Sequence, residues 1–441
     1  MRLLRTALVT LTVLALAATV GLTAGLVGHH RDTTRAAASS TDPRGAAAAN
    51  PAAIADASSL VSTLQARLEV TPKDQRSWSQ LALAYAEQGR ITADPTYYPK
   101  AQAAIARAAH LAPGDSVMLA ARATLQAARH DFTGSLHSAE QSLRVNPFNA
   151  QAEAIRCDAL TELGRYAEAP GAAARADDLD PGSSTFARLS YQRELRGDLA
   201  DATALMRRSL QAAGTSAPSY AFAAFHLGDL AHQAGRPATA MRWYRAALGA
   251  DPTYLPALDG VARLEVARGQ TAAAVRDYRA VVTRLPLTEY LVELGELYQT
   301  IGRPALAEQQ YAVATASARL LAANGVAVDL ETAQFQADHG SPAAALSAAR
   351  GEWARRHSIS SADALGWALY AARRDASALR YARLATRLGT RDARAIYHLG
   401  VIEAALHRPG ARSDLLSARR LDAGVSPYRE TRITAALRGL R

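Results

Sequence analysis

The sequence predicts an all-α fold in which about ten helix–turn–helix repeats stack into an α-solenoid. Hydrophobic residues make up 49% of the 441 residues but aromatic residues only 6%. Alanine and leucine therefore dominate, as suits closely packed helices. A glycine followed five residues later by an alanine recurs through most of the chain. Prolines recur at intervals of 34 residues, which predicts a repeat of that length; they are Pro113, Pro147 and Pro181, and again Pro252 and Pro286.

The clearest unit spans residues 221–252. Gly235 follows the first helical pattern, and Pro237 stands where the second helix would begin. Proline is favoured at the first position of a helix and glycine just past its end, so this arrangement is typical of two consecutive helices. Ala240 and Tyr244 then share one face of the second helix, so a small residue should let the paired helices approach while a larger one fills the space beside it.

At the N-terminus, an uncharged apolar stretch at residues 7–28 follows Arg2 and Arg5. Within residues 1–30, this stretch is long enough to cross a bilayer as a helix, so we expect an uncleaved signal anchor. A signal peptide cleaved after Ala38 is the alternative. Both interpretations place the later residues outside the cytoplasm, in a single-pass membrane protein with an extracytoplasmic repeat domain or in a secreted protein. Residues 31–52 are predicted to be a flexible linker.

The repeats follow in two groups, with residues 53–345 as N-terminal and central repeats and residues 346–441 as degenerate, arginine-rich repeats with a cap. We expect a helix at 53–70 to cap the array, and a long second helix at 305–323.

Cys157 is alone, which excludes an intrachain disulfide, and it falls in a small-residue slot where a buried, inert thiol is expected. The predicted turn glycines are Gly164, Gly197, Gly235, Gly269, Gly302 and Gly340; the alanines after them are Ala169, Ala202, Ala240, Ala274, Ala307 and Ala345; and the larger slot holds Tyr244, Tyr278 and Tyr311.

This pattern resembles the tetratricopeptide repeat (TPR). The residues that match its two helices most closely are Trp78, Leu81, Ala82 and Tyr85 in the first and Ala101, Ile105, Ala108 and Pro113 in the second. Residues 64–113 also resemble the TPR regions of bacterial cytochrome c maturation proteins. The resemblance implies a right-handed superhelix whose first helices line a concave groove that binds a peptide or protein segment.

Carrying the family's groove positions onto this sequence gives a candidate partner-binding site. The Lys/Asn clamp that holds a peptide carboxylate in some family members is not matched, which puts binding of chaperone tails in doubt. The weaker C-terminal repeats offer Trp367, Tyr370 and Tyr397. The candidate groove residues are Asp158, Glu162, Tyr191, Glu194, Phe222, Phe225, Asp229, His232, Arg263 and Glu296.

Sequence motifs for catalysis are missing. No histidine is followed by glutamate, no Gly-Lys pair exists, and neither Gly-x-Ser-x-Gly nor Ser-x-x-Lys occurs. His226, Asp229 and His232 lie three apart on one helix, but no fourth ligand follows in sequence, so a polar face is favoured over a metal site. We therefore expect a non-catalytic protein without a cofactor, acting as a protein–protein interaction scaffold of the bacterial cell envelope.

The net charge of +10 lies entirely in the C-terminal part, since residues 346–441 hold 18 Arg against 8 Asp and Glu. This excess offers an alternative function, recognition of an anionic lipid or wall polymer, because clustered charge attracts such partners. A solvated arginine face without a specific partner is the simpler interpretation. Nucleic acid suits the charge but not the expected compartment. The candidate basic surface is Arg373, Arg374, Arg380, Arg383 and Arg387.

Overall fold

The computed structural model describes the backbone of residues 51–440 and the side chains of residues 58–440, which form 22 α-helices and no strand. The predicted signal segment and most of the predicted linker lie outside these residues. None of the described helices is both long and apolar enough to cross a membrane. The helices are α1 (Pro51–Val70), α2 (Gln75–Thr92), α3 (Tyr97–Leu111), α4 (Ser116–Ala128), α5 (Phe132–Val145), α6 (Ala150–Glu162), α7 (Ala169–Leu179), α8 (Ser183–Glu194), α9 (Leu199–Ala212), α10 (Ala217–Gln233), α11 (Pro237–Ala250), α12 (Leu255–Ala267), α13 (Thr271–Arg284), α14 (Thr288–Thr300), α15 (Pro304–Ala323), α16 (Asp329–His339), α17 (Pro342–Arg355), α18 (Ile359–Ala371), α19 (Asp375–Ala385), α20 (Ala393–Ala405), α21 (Ala411–Asp422) and α22 (Pro427–Gly439).

Consecutive helices pack as antiparallel pairs, from α2–α3 through α20–α21, with α1 before them and α22 after them. The first helices of neighbouring pairs also contact one another, as α2 does α4 and α16 does α18, so they line the inner side of the array. These ten pairs confirm the predicted solenoid, and the last three are complete although their sequence pattern is weak. Residue 345 lies inside α17, so the boundary between the two predicted groups of repeats falls within a helix.

Polar caps and left-handed residues fix where each helix begins and ends. At many helix starts an Asp or Ser side chain accepts a hydrogen bond from the backbone amide three residues later. Asp115 accepts from the amide of Met118, and Ser358 accepts from that of Ser361. Five of the predicted turn glycines have φ between 71° and 78°. Gly340 does not, since its φ is −143°. In four other pairs a non-glycine residue of the turn has a positive φ, namely Ala93, His130, Arg373 and His407.

Close packing inside the pairs depends on small residues. All six predicted alanines, from Ala169 to Ala345, are 0% exposed. A β-carbon built on Gly228 would overlap the ring of Tyr244, and one on Gly260 would lie 2.7 Å from Tyr244 Cζ. The Tyr244 ring is therefore held between two glycines, one from its own pair and one from the next. Cys157 is 1% exposed, and burial raises the pKa of its thiol to about 12, which makes it unreactive as expected.

The array also contacts itself over long sequence distances. His130 Nδ1 lies 2.8 Å from Ala327 O, 197 residues away. The Ile359 amide donates to the Tyr166 hydroxyl at 2.9 Å, across 193 residues of sequence. Arg356 pairs with Glu162, across 194 residues. Turns of early pairs thus lie against connecting loops of later ones. We call these the inter-turn contacts, because they join one turn of the solenoid to the next.

The glycine–tyrosine packing predicts opposite effects for two glycine-to-alanine changes. In a helix, alanine is favoured over glycine by roughly 1 kcal/mol when nothing else changes. Gly249→Ala on α11, where a β-carbon meets no atom within 4 Å, should therefore be neutral or stabilising. Gly228→Ala should instead lower the free energy of unfolding by roughly 1–3 kcal/mol, since the ring of Tyr244 cannot move aside freely. Urea unfolding of both variants measures this, and equal stability would contradict the packing described.

Candidate functional site

All the candidate groove residues lie on first helices. They follow one another on the five first helices from α6 to α14, and we call this set the row. They are Asp158 and Glu162 on α6, Tyr191 and Glu194 on α8, Phe222, Phe225, Asp229 and His232 on α10, Arg263 on α12, and Glu296 on α14.

Most of the polar members of this row bind a residue on the next first helix. Arg188 donates to Asp158 through two nitrogens, Nε at 2.9 Å and Nη2 at 2.7 Å, which is the strong bidentate geometry. Gln233 donates to Glu194 at 2.6 Å, and His339 Nε2 lies 3.0 Å from Glu296 Oε1. These contacts join α6 to α8, α8 to α10 and α14 to α16. We call this row of contacts the polar ladder.

The centre of the polar ladder is a buried charge cluster around Arg263. Its Nη2 lies 3.4 Å from Asp229 Oδ1, and its Nε lies 3.0 Å from Asp259 Oδ2. Tyr244 donates to the same Asp229 oxygen at 2.6 Å. Burial and the neighbouring Glu293 carboxylate raise the pKa of Asp259 well above its usual range. The guanidinium of Arg263 therefore contacts carboxylates of two neighbouring first helices, α10 and α12.

Burial also shifts the pKa values of His232 and Glu296, which lie at the two ends of this cluster. Burial, with a smaller effect from Arg263, lowers the pKa of His232 to about 4, so the imidazole is neutral at pH 7. Burial raises the pKa of Glu296, opposed by the hydrogen bond to His339. Within residues 51–440, no group of three or more His, Cys, Asp and Glu side chains is arranged to hold a metal ion. The cluster is suited to joining helices.

The candidate aromatic residues differ in accessibility. Phe225 is 1% exposed and lies among His226, Tyr244 and Tyr254, so it packs the interior of its repeat rather than facing a groove. Phe222 is partly buried, with its ring centroid 4.4 Å from that of His226. Tyr191 is partly buried against the cluster that contains Tyr166 and Ile359. Phe222 is thus the most suitable apolar contact among the ten.

The C-terminal end of the row is covered by the chain itself. Val425 to Arg429, at the start of α22, line one small cavity together with Arg263 and Glu296. Helix α22 packs on α14, and Arg429 pairs with Asp422 at 2.8 Å. The start of α22 therefore covers the row at Arg263 and Glu296, and α21 also contacts α10.

In the C-terminal repeats, the candidate aromatics are mostly core residues. Trp367 and Tyr397 are each 3% exposed, and Trp367 stacks on His398 at 4.0 Å. Tyr370 is partly buried beside them. All five candidate arginines are exposed. Three of them have partners, since Arg383 pairs with Glu403 at 3.1 Å and the guanidinium groups of Arg380 and Arg387 lie 5.8 Å and 5.5 Å from the ring centroids of Tyr381 and Tyr166, respectively.

Several residues that complete the row were not predicted. Arg188, Asp259 and Arg429 supply the opposite charges that the candidate residues need. A usable signal exists for some of them, because Asp229 and Arg263 are 34 residues apart and Asp158 and Arg188 are 30 apart. Opposite charges about one repeat apart on first helices therefore indicate a contact between neighbouring repeats. No repeat pattern indicates Arg429, since α22 lies outside the helix pairs.

Comparisons with known proteins agree with this architecture. A family model described as tetratricopeptide repeat matches residues 120–184 and 196–254. No curated protein matches the sequence. Among solved structures, PilW, a widely conserved type IV pilus biogenesis factor, is 18% identical, with 53% of this chain and 97% of that chain covered and a TM-score of 0.39.

Two further solved structures resemble the chain to a similar degree. The pilF protein of Pseudomonas aeruginosa is 17% identical, covering 48% of this chain and 92% of its own, with a TM-score of 0.37. YrrB, described as a TPR protein with an unusual peptide-binding site, is 15% identical, covering 41% and 92%, with a TM-score of 0.29. The family match shows tetratricopeptide repeats at residues 120–184 and 196–254, and the ten helix pairs show helix–turn–helix packing throughout the described part of the chain.

Proposed function

We propose that this chain is a non-catalytic scaffold that binds a segment of another protein along the inner side of its repeats. The observation that carries the proposal is the repeat architecture itself, since tetratricopeptide repeats are generally interaction scaffolds. Extended surfaces made of stacked helix pairs suit the recognition of peptides and helices. The proposed partner segment contacts the row between α8 and α10.

The chemistry of that stretch indicates what the segment carries. Phe222 offers a partly exposed aromatic ring; Asp229 lies on the same helix, and Glu194 lies on the preceding first helix. An apolar side chain would pack on the ring, and a basic group would approach the carboxylates. Because Asp229 and Glu194 already accept hydrogen bonds from the chain, the aromatic ring is expected to contribute most of the affinity.

The second element of the proposal is location in the cell envelope. It rests on the uncharged stretch at residues 7–28 and the two arginines before it. We expect the full-length protein to sediment with membranes and to resist salt extraction, whereas a variant without residues 1–50 should remain in the supernatant. A matched measurement on both proteins by fractionation and immunoblotting tests this. Salt-extractable full-length protein would argue against an anchor.

Site-specific photo-crosslinking in living cells tests the inner binding surface. A benzoylphenylalanine in place of Phe222 keeps an aromatic ring at that position, and its crosslinks should map to one continuous segment of one protein. The control is the same group at Arg242, which is exposed on the second helix α11. Phe222→Ala should reduce recovery of the same partner by about tenfold, the loss typical of one aromatic contact. The same products from both positions would show that the inner side is not the binding surface.

A second candidate function is recognition of an anionic lipid or polymer by the C-terminal repeats. The observation that favours it is the exposure of all five candidate arginines. Binding of the full chain to vesicles with anionic headgroups should then weaken steeply with added salt, since exposed charges are screened. It should also weaken in an Arg383→Gln/Arg387→Gln variant. Equal binding to neutral vesicles would remove this candidate.

A further inference from the structure

The outer side of the C-terminal repeats carries a cleft whose rim includes two of the candidate arginines, Arg374 and Arg380. It lies between α17 and α19, the second helices of two neighbouring pairs, and α18 forms its floor. Its volume is about 420 Å³, which is within the range of roughly 300–1,000 Å³ typical of ligand sites. We call it the arginine–tryptophan cleft; its residues are Arg350, Trp353, Ala354, Leu365, Leu369, Arg374, Ala376, Ser377, Arg380 and Tyr381.

The centre of the cleft is apolar and aromatic. Leu365 and Leu369 are 3% and 5% exposed, so they form a closed floor. Trp353 and Tyr381 are partly buried, and their rings meet edge to face with centroids 5.2 Å apart. Both rings therefore keep part of their surface free while packing fixes their orientation. Such rigid, half-exposed aromatic groups are the usual anchors of binding sites.

The rim of the cleft is positively charged and lacks acidic residues. Arg350, Arg374 and Arg380 are exposed, and no carboxylate among the described residues forms an ion pair with any of them. The Arg380 guanidinium lies over Tyr381, 5.8 Å from the ring centroid. No Asp or Glu side chain lines the cleft. Three guanidinium groups thus surround one apolar centre without an internal counter-charge.

Other arginines of the same helix show that this lack of pairing is local. Arg355 and Arg356 on and after α17 both pair with Glu352, and Arg356 also pairs with Glu162. Glu352 is 3% exposed and points into that network, away from the cleft lining. The chain therefore pairs the arginines on one side of α17 and leaves Arg350 unpaired on the other.

We propose that the arginine–tryptophan cleft binds an acidic segment of a partner protein that carries an aromatic or long aliphatic side chain at its centre. The apolar side chain would lie against Trp353 and over the leucine floor. Carboxylates on either side of it would bind Arg350, Arg374 and Arg380, since guanidinium and carboxylate groups match in planar, two-bond geometry. The charge complementarity of the rim identifies the occupant, and the site is separate from the inner row around Phe222.

A flat anionic surface suits the cleft less well than a peptide does. Headgroups of a membrane would reach the exposed rim but leave the recessed rings and the floor unfilled. Exposed arginines outside the cleft, such as Arg373 and Arg387, would contribute equally to such a contact. For a peptide, in contrast, the rim arginines and Trp353 should matter far more than the arginines outside the cleft.

Fluorescence binding of the full-length protein to an array of short acidic peptides tests the proposal. Each peptide carries four carboxylates around one central residue, and centres of phenylalanine, leucine and glycine are compared. We expect the apolar centres to bind at least about tenfold more tightly than glycine, and amide versions of the same peptides to bind more weakly still. Added salt should weaken binding of the acidic peptides.

Matched variants locate the binding on the protein. Arg374→Gln/Arg380→Gln should weaken binding by about tenfold or more, while Arg373→Gln/Arg387→Gln removes equal charge outside the cleft and should change it by no more than about twofold. Trp353→Ala should abolish the preference for an apolar centre, and circular dichroism checks that the helices persist. Three outcomes would each overturn the proposal. The two arginine variants could lose binding equally, anionic vesicles could bind in a way that needs Arg373 and Arg387 as much as the rim arginines, or no peptide of the array could bind. The crosslinking result at Phe222 is independent of all three outcomes.

Discussion

The contact between glycine and tyrosine inside the helix pairs sets the geometry of the repeats. Tyr244 lies against Gly228 of its own pair and Gly260 of the next, and Tyr311 lies in the same way against Gly295. One aromatic ring thus fixes both the distance between two paired helices and the distance to the following pair. Since close-packed interiors transmit small changes in volume, the spacing of the inner surface depends on these rings. The fully buried alanines serve the same purpose where the backbones approach most closely.

Polar side chains on the inner surface then connect one repeat to the next. Asp158 with Arg188, and Asp229 with Arg263, are contacts that would be costly to break, because each partner is largely buried. A residue that holds two repeats together has less freedom to bind another molecule. The inner surface is therefore divided between structural pairs and a few freer side chains such as Phe222. A partner must use the latter, or exchange its own groups for those already paired.

The fold could be predicted from the sequence because glycine, alanine and proline recur periodically in the repeats. The last three helix pairs show the limit of that record, since Arg373 and His407 make the left-handed turn that glycine makes elsewhere. A left-handed turn is uncommon for residues with a side chain but accessible to them, so composition alone does not reveal it. The candidate groove positions all lie on first helices. Their burial could not be predicted, because it depends on contacts such as that of α22 with α14, whose partners are far apart in sequence.

The inter-turn contacts give this array a property that open solenoids lack. When each repeat contacts only its neighbours, stability is a sum of local terms and the ends fray independently. Here Tyr166 and Ile359, 193 residues apart, belong to one hydrogen bond, and Arg356 closes a second link to Glu162 nearby. A change that destabilises the early repeats therefore also destabilises the late ones. The same contacts raise the contact order of the chain, which slows folding because long loops must close first. In mechanical terms the array is a coil with adjacent turns bonded to each other, so stretching it requires breaking those bonds before any helix pair separates.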